Sequence, residues 1–222
     1  MKVNAYVVGM IGTNCYLVWD EESREAMLVD PGGYDAAISR TVADEGLTLK
    51  YIALTHGHGD HVDGVNDFVA EFPETRVAMS EADMSYVSDT DENISGRFFG
   101  RKIMIGKTGS ELYLKDGDRL MLGDICFKVI SVPGHTPGGL AFYAEGHDAE
   151  LVAGQAFSGT VFSGDTLFHL SVGRTDLIGG DAATLAKSIK ERLFTLPDDT
   201  LVLPGHMDAT TIETEKRHNP FV

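Results

Sequence analysis

The chain has 222 residues, 43% hydrophobic and 23% charged, and its 18 Lys and Arg face 34 Asp and Glu for a formal net charge of −16. That length and composition suit one soluble domain, residues 1–222, with a substantial core. The acidic balance argues against a nucleic-acid partner, and the absence of a long apolar stretch argues against a secretory signal or membrane span, so a cytoplasmic protein is expected.

In chain order, strands are expected at Val3–Met10, Cys15–Trp19 and Ala26–Val29, separated by the turn Gly12-Thr13-Asn14 and the charged stretch Asp20–Arg24. Asp30-Pro31-Gly32-Gly33 ends this meander, and Tyr34–Glu45 reads as a helix with Ile38 and Val42 facing the core. A short buried strand, Tyr51–Leu54, leads into Thr55-His56-Gly57-His58-Gly59-Asp60-His61, and Val62–Phe72 follows with apolar residues at helical spacing. Arg76–Met79 is a further strand. Ser80–Ser110 is irregular apart from a helix-like Glu81–Val87 and an apolar run, Phe98–Ile105; it reads as a surface excursion or a substrate wall, with no cluster of ligand-type residues.

Strands are expected again at Arg119–Leu122 and Ile125–Val132, before the loop Pro133-Gly134-His135-Thr136-Pro137-Gly138-Gly139. Leu140–Tyr143, Leu151–Val152 and the apolar run Ala156–Phe162 continue the strand pattern up to Ser163-Gly164-Asp165-Thr166. An amphipathic helix over Ala182–Leu193, capped by Asp181 or Gly180, precedes a last strand, Thr200–Leu203, and the turn Pro204-Gly205-His206. Cys15 and Cys126 both lie in apolar runs, which predicts two buried free thiols.

Four places share one arrangement, an apolar strand followed by a turn that presents a metal-ligand type: the His56, His58, Asp60 and His61 run, then His135, Asp165 and His206. Loops at one end of a rigid sheet converge, and seven imidazoles and carboxylates exceed the needs of one ion, so a pair of ions is the expected count.

This run, with His135, Asp165 and His206 each in a Gly-containing turn, resembles the metallo-β-lactamase fold superfamily. The segments Pro133–Gly138, Ser163-Gly164-Asp165, Gly173-Arg174-Thr175-Asp176 and the tail through Asn219-Pro220-Phe221 are similar to short bacterial glyoxalase II-like hydrolases. The resemblance implies an α/β fold, a four-layered αβ/βα sandwich with two mixed sheets. It implies two divalent ions, zinc first with iron or manganese as alternatives: His56, His58 and His135 on the first, Asp60, His61 and His206 on the second, Asp165 bridging. Asp60 and Asp165 then act with a metal-bridging hydroxide that attacks a small-molecule thioester such as S-D-lactoylglutathione, in a monomer or homodimer. A thiol with pKa about 8.5 leaves as thiolate without a dedicated acid.

Asp30 is implied as the residue that orients a ligand imidazole. Arg174 and Asp176 form a structural ion pair under the site or touch substrate, and His169 is a near-site residue. Full-length glyoxalase II enzymes carry a further C-terminal helical domain that holds glutathione, and here the sequence stops soon after His206, which opens the thiol part to other groups. Persulfide dioxygenases are also similar, with His56, His135 and Asp165 around one ferrous ion. The remaining alternatives are another ester, amide or phosphodiester substrate, or a non-catalytic metal module.

Overall fold

The computed structural model describes residues 1–222 except 87–88, 90–92, 96–99, 101, 107–108, 150 and 152–155. Strands β1 (Lys2–Val8), β2 (Thr13–Trp19) and β3 (Glu25–Val29) form the opening meander, and α1 (Ala36–Asp44) follows, its N-terminus capped by the Asp35 carboxylate on the Ala37 amide. After β4 (Thr48–Ala53) come the single turn α2 (Gly59–Val62), α3 (Val65–Glu71), β5 (Arg76–Ser80) and β6 (Leu112–Leu114). These six strands make one sheet in the order β1-β2-β3-β4-β5-β6, antiparallel up to β3 and parallel from there on.

The second sheet draws on β7 (Arg119–Leu122), β8 (Ile125–Ser131), β9 (Leu140–Glu145) and β10 (Gly159–Gly164). A small ribbon, β11 (Leu167–Phe168) and β12 (Ser171–Val172), leads to α4 (Ala182–Ser188), β13 (Leu201–Pro204), β14 (Thr210–Thr211) and α5 (Ile212–His218). The order is β14-β13-β10-β9-β8-β7, with β13 and β10 parallel and the other neighbours antiparallel.

Both sheets are mixed, and their central strands are apolar on both faces because both faces are covered. Val18, Met27 and Val29 of the first sheet meet Phe127, Val129, Phe142 and Phe162 of the second. On the outer face of the first sheet, Leu17, Leu28 and Ile52 pack under Ile38, Val62, Val65 and Phe68 of α1 to α3. On the outer face of the second, Val161 and Val202 pack under Leu185, Ile189 and Leu193. The layers run helix, sheet, sheet, helix, as expected. Among the described residues no helix is long and apolar enough to cross a membrane.

Several expectations are corrected. The helix expected from Val62 begins at Gly59 and breaks at Asp63 and Gly64, where a Cβ on Gly64 would strike the Gly33 backbone. Glu81–Val87 is one 3-10 turn, Glu81–Asp83, with Val87 outside the described residues. Leu151 joins no strand and Val152 lies outside the described residues. Of the apolar run Phe98–Ile105, residues 98–99 and 101 lie outside them, and Ile103–Ile105 is irregular, in keeping with the irregular stretch expected there. Residues 182–193 are helical throughout, but the last turn, Ile189–Leu193, is a wider π turn. Both cysteines are free, yet only Cys15 is buried. Cys126 alternates to the half-exposed face of β8, opposite Met121.

Candidate metal centre

All seven predicted ligands come together at the carboxyl ends of four strands. His56 and His58 follow β4, and Asp60 and His61 ride on α2. His135 follows β8, Asp165 follows β10 and His206 follows β13. The packing leaves no room for a side chain at two glycines: in the His206 turn a Cβ on Gly205 would collide with the Asp165 carboxylate and the His61 ring, and just past β12 one on Gly173 would collide with the Asp165 carbonyl.

The ring nitrogens are directed by hydrogen bonds. Asp30 Oδ2 accepts from His61 Nδ1 at 2.9 Å and from the Thr55 hydroxyl at 2.6 Å, which leaves Thr55 Oγ1 to accept from His56 Nδ1 at 3.0 Å. The Arg174 carbonyl accepts from His135 Nδ1 at 2.7 Å. Three imidazoles therefore carry a proton on Nδ1 and turn Nε2 inward. His58 presents Nδ1 2.9 Å from His135 Nε2.

Ligand atoms of His56, His58 and His135 lie within 4.8 Å of one another, as do those of Asp60, His61 and His206. Asp30, His56 and His61 also meet that distance, but Asp30 is already engaged by Thr55 and His61. Asp165 stands between the first two sets: His135 Nε2 is 3.7 Å from its carboxylate, His61 Nε2 3.3 Å and His206 Nε2 3.7 Å. His56 Nε2, His58 Nε2, His61 Nε2 and Asp165 Oδ1 are buried without a hydrogen-bond partner. Orphaned buried atoms of this kind are rare, and imidazole nitrogens with carboxylate oxygens are the donor set that a divalent cation satisfies, so the residues fit a metal.

The electrostatics divide the cluster. Burial, then the neighbouring imidazoles, hold His56 well below the usual histidine range, and burial with His135 takes His58 down to about 3. Burial opposes protonation of His61 and His206 as well, but there it is outweighed: Asp165, Asp60 and Asp30 raise His61, and Asp60 and Asp165 raise His206. Burial likewise opposes ionisation of Asp60 and Asp165, and the facing imidazoles nevertheless keep both below the usual carboxylate range. His56 and His58 are thus held neutral, whereas His61 and His206 are held protonated against Asp60 and Asp165, a positive charge that a metal replaces.

Asp30, the residue expected to orient a ligand imidazole, lies hydrogen-bonded to His61 and to the Thr55 hydroxyl that meets His56. Arg174 and Asp176 do form an ion pair, with both contacts at 2.7 Å, but on the exposed rim rather than beneath the site. His169 is not a near-site residue: it is exposed and lines a separate cavity with Asp199, Thr210 and Glu213. Sequence reading missed Asp83. Its buried carboxylate accepts from the Gly57 amide at 3.1 Å, the Thr136 hydroxyl at 2.7 Å and the Gly138 amide at 2.6 Å, tying the first ligand turn to the His135 loop. Asn93 was missed too, and its carbonyl accepts from the Gly59 amide at 2.9 Å.

The sequence profile of the metallo-beta-lactamase superfamily matches residues 8–206. The chain belongs to this superfamily. Among relatives within it, the chain is 37% identical to the probable metallo-hydrolase YqgX of Bacillus subtilis and 32% identical to the hydroxyacylglutathione hydrolase GloC of Haemophilus influenzae. In each case all of this chain and 98% of the relative are covered. Among solved superfamily structures, the B3 metallo-beta-lactamase BLEG-1 matches at a TM-score of 0.86 and 35% identity, over 99% of this chain and 98% of that one. The di-iron-bound form of TTHA1623 matches at 0.79 and 35%, over 99% and 100%. ETHE1 from Myxococcus xanthus matches at 0.74 and 29%, over 99% and 84%. The chain is a metallo-hydrolase of this superfamily, with the superfamily's fold of two mixed sheets between helices.

Proposed function

We propose that the chain is a binuclear hydrolase of thioesters, with S-D-lactoylglutathione as the reference substrate. Asp165 carries this reading, because its one carboxylate lies within 3.7 Å of imidazoles from both ligand sets. His56, His58 and His135 would hold one divalent ion, Asp60, His61 and His206 the second, and Asp165 both. Such ions supply Lewis acidity and lower the pKa of water to about 7.

The protein's own residues set the stage for that chemistry. Asp30 and Thr55 fix the tautomers of His61 and His56, and the Arg174 carbonyl fixes that of His135. Asp60 and Asp165 offset only part of the charge of two dications, so the centre stays cationic inside an acidic protein and favours the carbonyl oxygen of a substrate. In the overall reaction the C–S bond breaks, a water oxygen bonds to the acyl carbon, the thiol departs as thiolate and the water protons pass to solvent and product. The likeness to GloC over the whole chain supports the thioester, and TTHA1623 makes iron a candidate beside zinc. In this reading the chain works as one cytoplasmic domain, alone or as a homodimer.

The likeness to ETHE1 favours a second reading, oxygenation of a persulfide by one iron held by His56, His135 and Asp165. Metal analysis of protein purified without chelator, with a panel of thioesters, a persulfide and a β-lactam, separates the readings. Two ions per chain with thioester turnover is expected, and Asp60→Ala should keep one ion. A single iron with oxygen uptake on the persulfide and no thioester cleavage overturns the proposal.

A further inference from the structure

Five of the candidate ligands, His58, Asp60, His135, Asp165 and His206, open into a cavity of about 420 Å³. Its other walls are mostly apolar: Ile11, Ile94, Phe168, Leu177 and Met207. Phe168 is buried and sits edge-on to the His206 ring, with ring centroids 6.2 Å apart. Ile94 and Leu177 are half-buried, and Ile11 and Met207 stand open at the mouth. Apolar groups left partly uncovered around a charged centre gain by being covered, and a ligand is what reaches them.

The backbone adds an independent observation. Five non-glycine residues among those described have left-handed backbone, and two of them, Ile94 at φ +60° and Met207 at +68°, line this cavity. Asp30, at +49°, directs the ligand imidazoles, and Leu170, at +54°, lies between Phe168 and Ser171 of the cavity wall. For a β-branched residue such as Ile94 this conformation is strongly disfavoured, and it persists only where the surroundings dictate it. They do so here: Asn93 Nδ2 donates to the Ile103 carbonyl at 2.7 Å, the Asn93 backbone carbonyl accepts from the Gly59 amide, and Ser95 Oγ accepts from the Ile103 amide at 3.0 Å. Both neighbours of Ile94 are thus fastened, which holds its side chain against the cavity beside the ligand turn. Arg174 also borders the cavity, with its charge already met by Asp176.

We infer that the substrate's scissile carbonyl carries a neutral, apolar acyl chain of medium length, packed against Ile94, Leu177 and Phe168. This rests on the hydrolase reading above. Thioesters of one neutral thiol, N-acetylcysteamine, with acetyl, butanoyl and hexanoyl groups test it on the metal-loaded protein. kcat/KM is expected to rise about three- to fourfold per added methylene, with the rise carried by KM, and Ile94→Ser and Leu177→Ser should each flatten the slope at unchanged metal content. A calorimetric titration with acetate, butanoate and hexanoate reads the same cavity without turnover, and affinity should climb along that series. A flat or falling dependence on chain length in the titration overturns the inference. If no thioester is cleaved while carboxylate affinity still climbs, the inference stands and the thioester reading falls.

Discussion

Asp83 shows what a single carboxylate does when its partners are mostly backbone. Its acceptors satisfy Gly57, Thr136 and Gly138, and Gly138 has no room for a side chain because a Cβ there would press on the carboxylate itself. Asp83→Ala leaves two buried amides and a hydroxyl unmet. Unfolding in urea should show a loss of about 3 kcal/mol or more, with weaker metal retention, because each orphaned donor costs about 1–3 kcal/mol. The seven candidate ligands were legible in the sequence because imidazoles and acids are crowded into turns that end apolar strands. Asp83 was not, because nothing about one of two acids in a short helix-like stretch announces that distant amides will point at it. His169 was misjudged for a related reason: it follows Phe168, and neighbouring residues of an extended chain face opposite ways, so the phenyl ring reached the cavity and the imidazole did not.

At the scale of elements, α5 is a brace. Buried Glu215 accepts from the Leu170 amide at 3.0 Å, from the Thr210 hydroxyl at 2.6 Å and from the Asn219 amide at 2.8 Å, and Asn219 in turn donates to the Ser171 carbonyl at 3.0 Å. The tail motif noted in the sequence thus secures the ribbon β11 to β12, which supplies Phe168, Ser171 and Val172 to the cavity. Glu215→Ala should raise KM several-fold while metal content is unchanged, and lower stability by about 3 kcal/mol, as expected for several buried hydrogen bonds lost at once. Steady-state kinetics beside metal analysis checks both. The long strands and the amphipathic face of α4 were legible from their periodicity. The two-residue strands β11, β12 and β14 are too short to display any period, and the break between α2 and α3 is imposed by close contact with Gly33, a neighbour distant in sequence.

For the molecule as a whole, a net charge of −16 surrounds a centre that the proposed ions would make cationic. Anionic substrates meet the outer field first, and at 0.1 M salt that field decays over about 10 Å. kcat/KM for an anionic thioester should therefore rise as salt is added and that for a neutral one should stay level, as initial rates across a salt series would show. Layering was legible as a fold class only through resemblance, since strand patterns fix neither which strands share a sheet nor how two sheets face. One contact across the fold has a temporal side. The turn that bears His206 is held by β2: the Asn14 amide donates to the Gly205 carbonyl at 2.7 Å, Asn14 Nδ2 to the Pro204 and Met207 carbonyls, and the Tyr16 hydroxyl to Pro204. As the chain leaves the ribosome, His56, His58, His135 and Asp165 are all present well before His206 appears, and that last imidazole must then dock on a strand made much earlier. On the proposed division, synthesis itself sets a loading order, with one ion's ligands complete early and the other's only when the two ends of the chain have met.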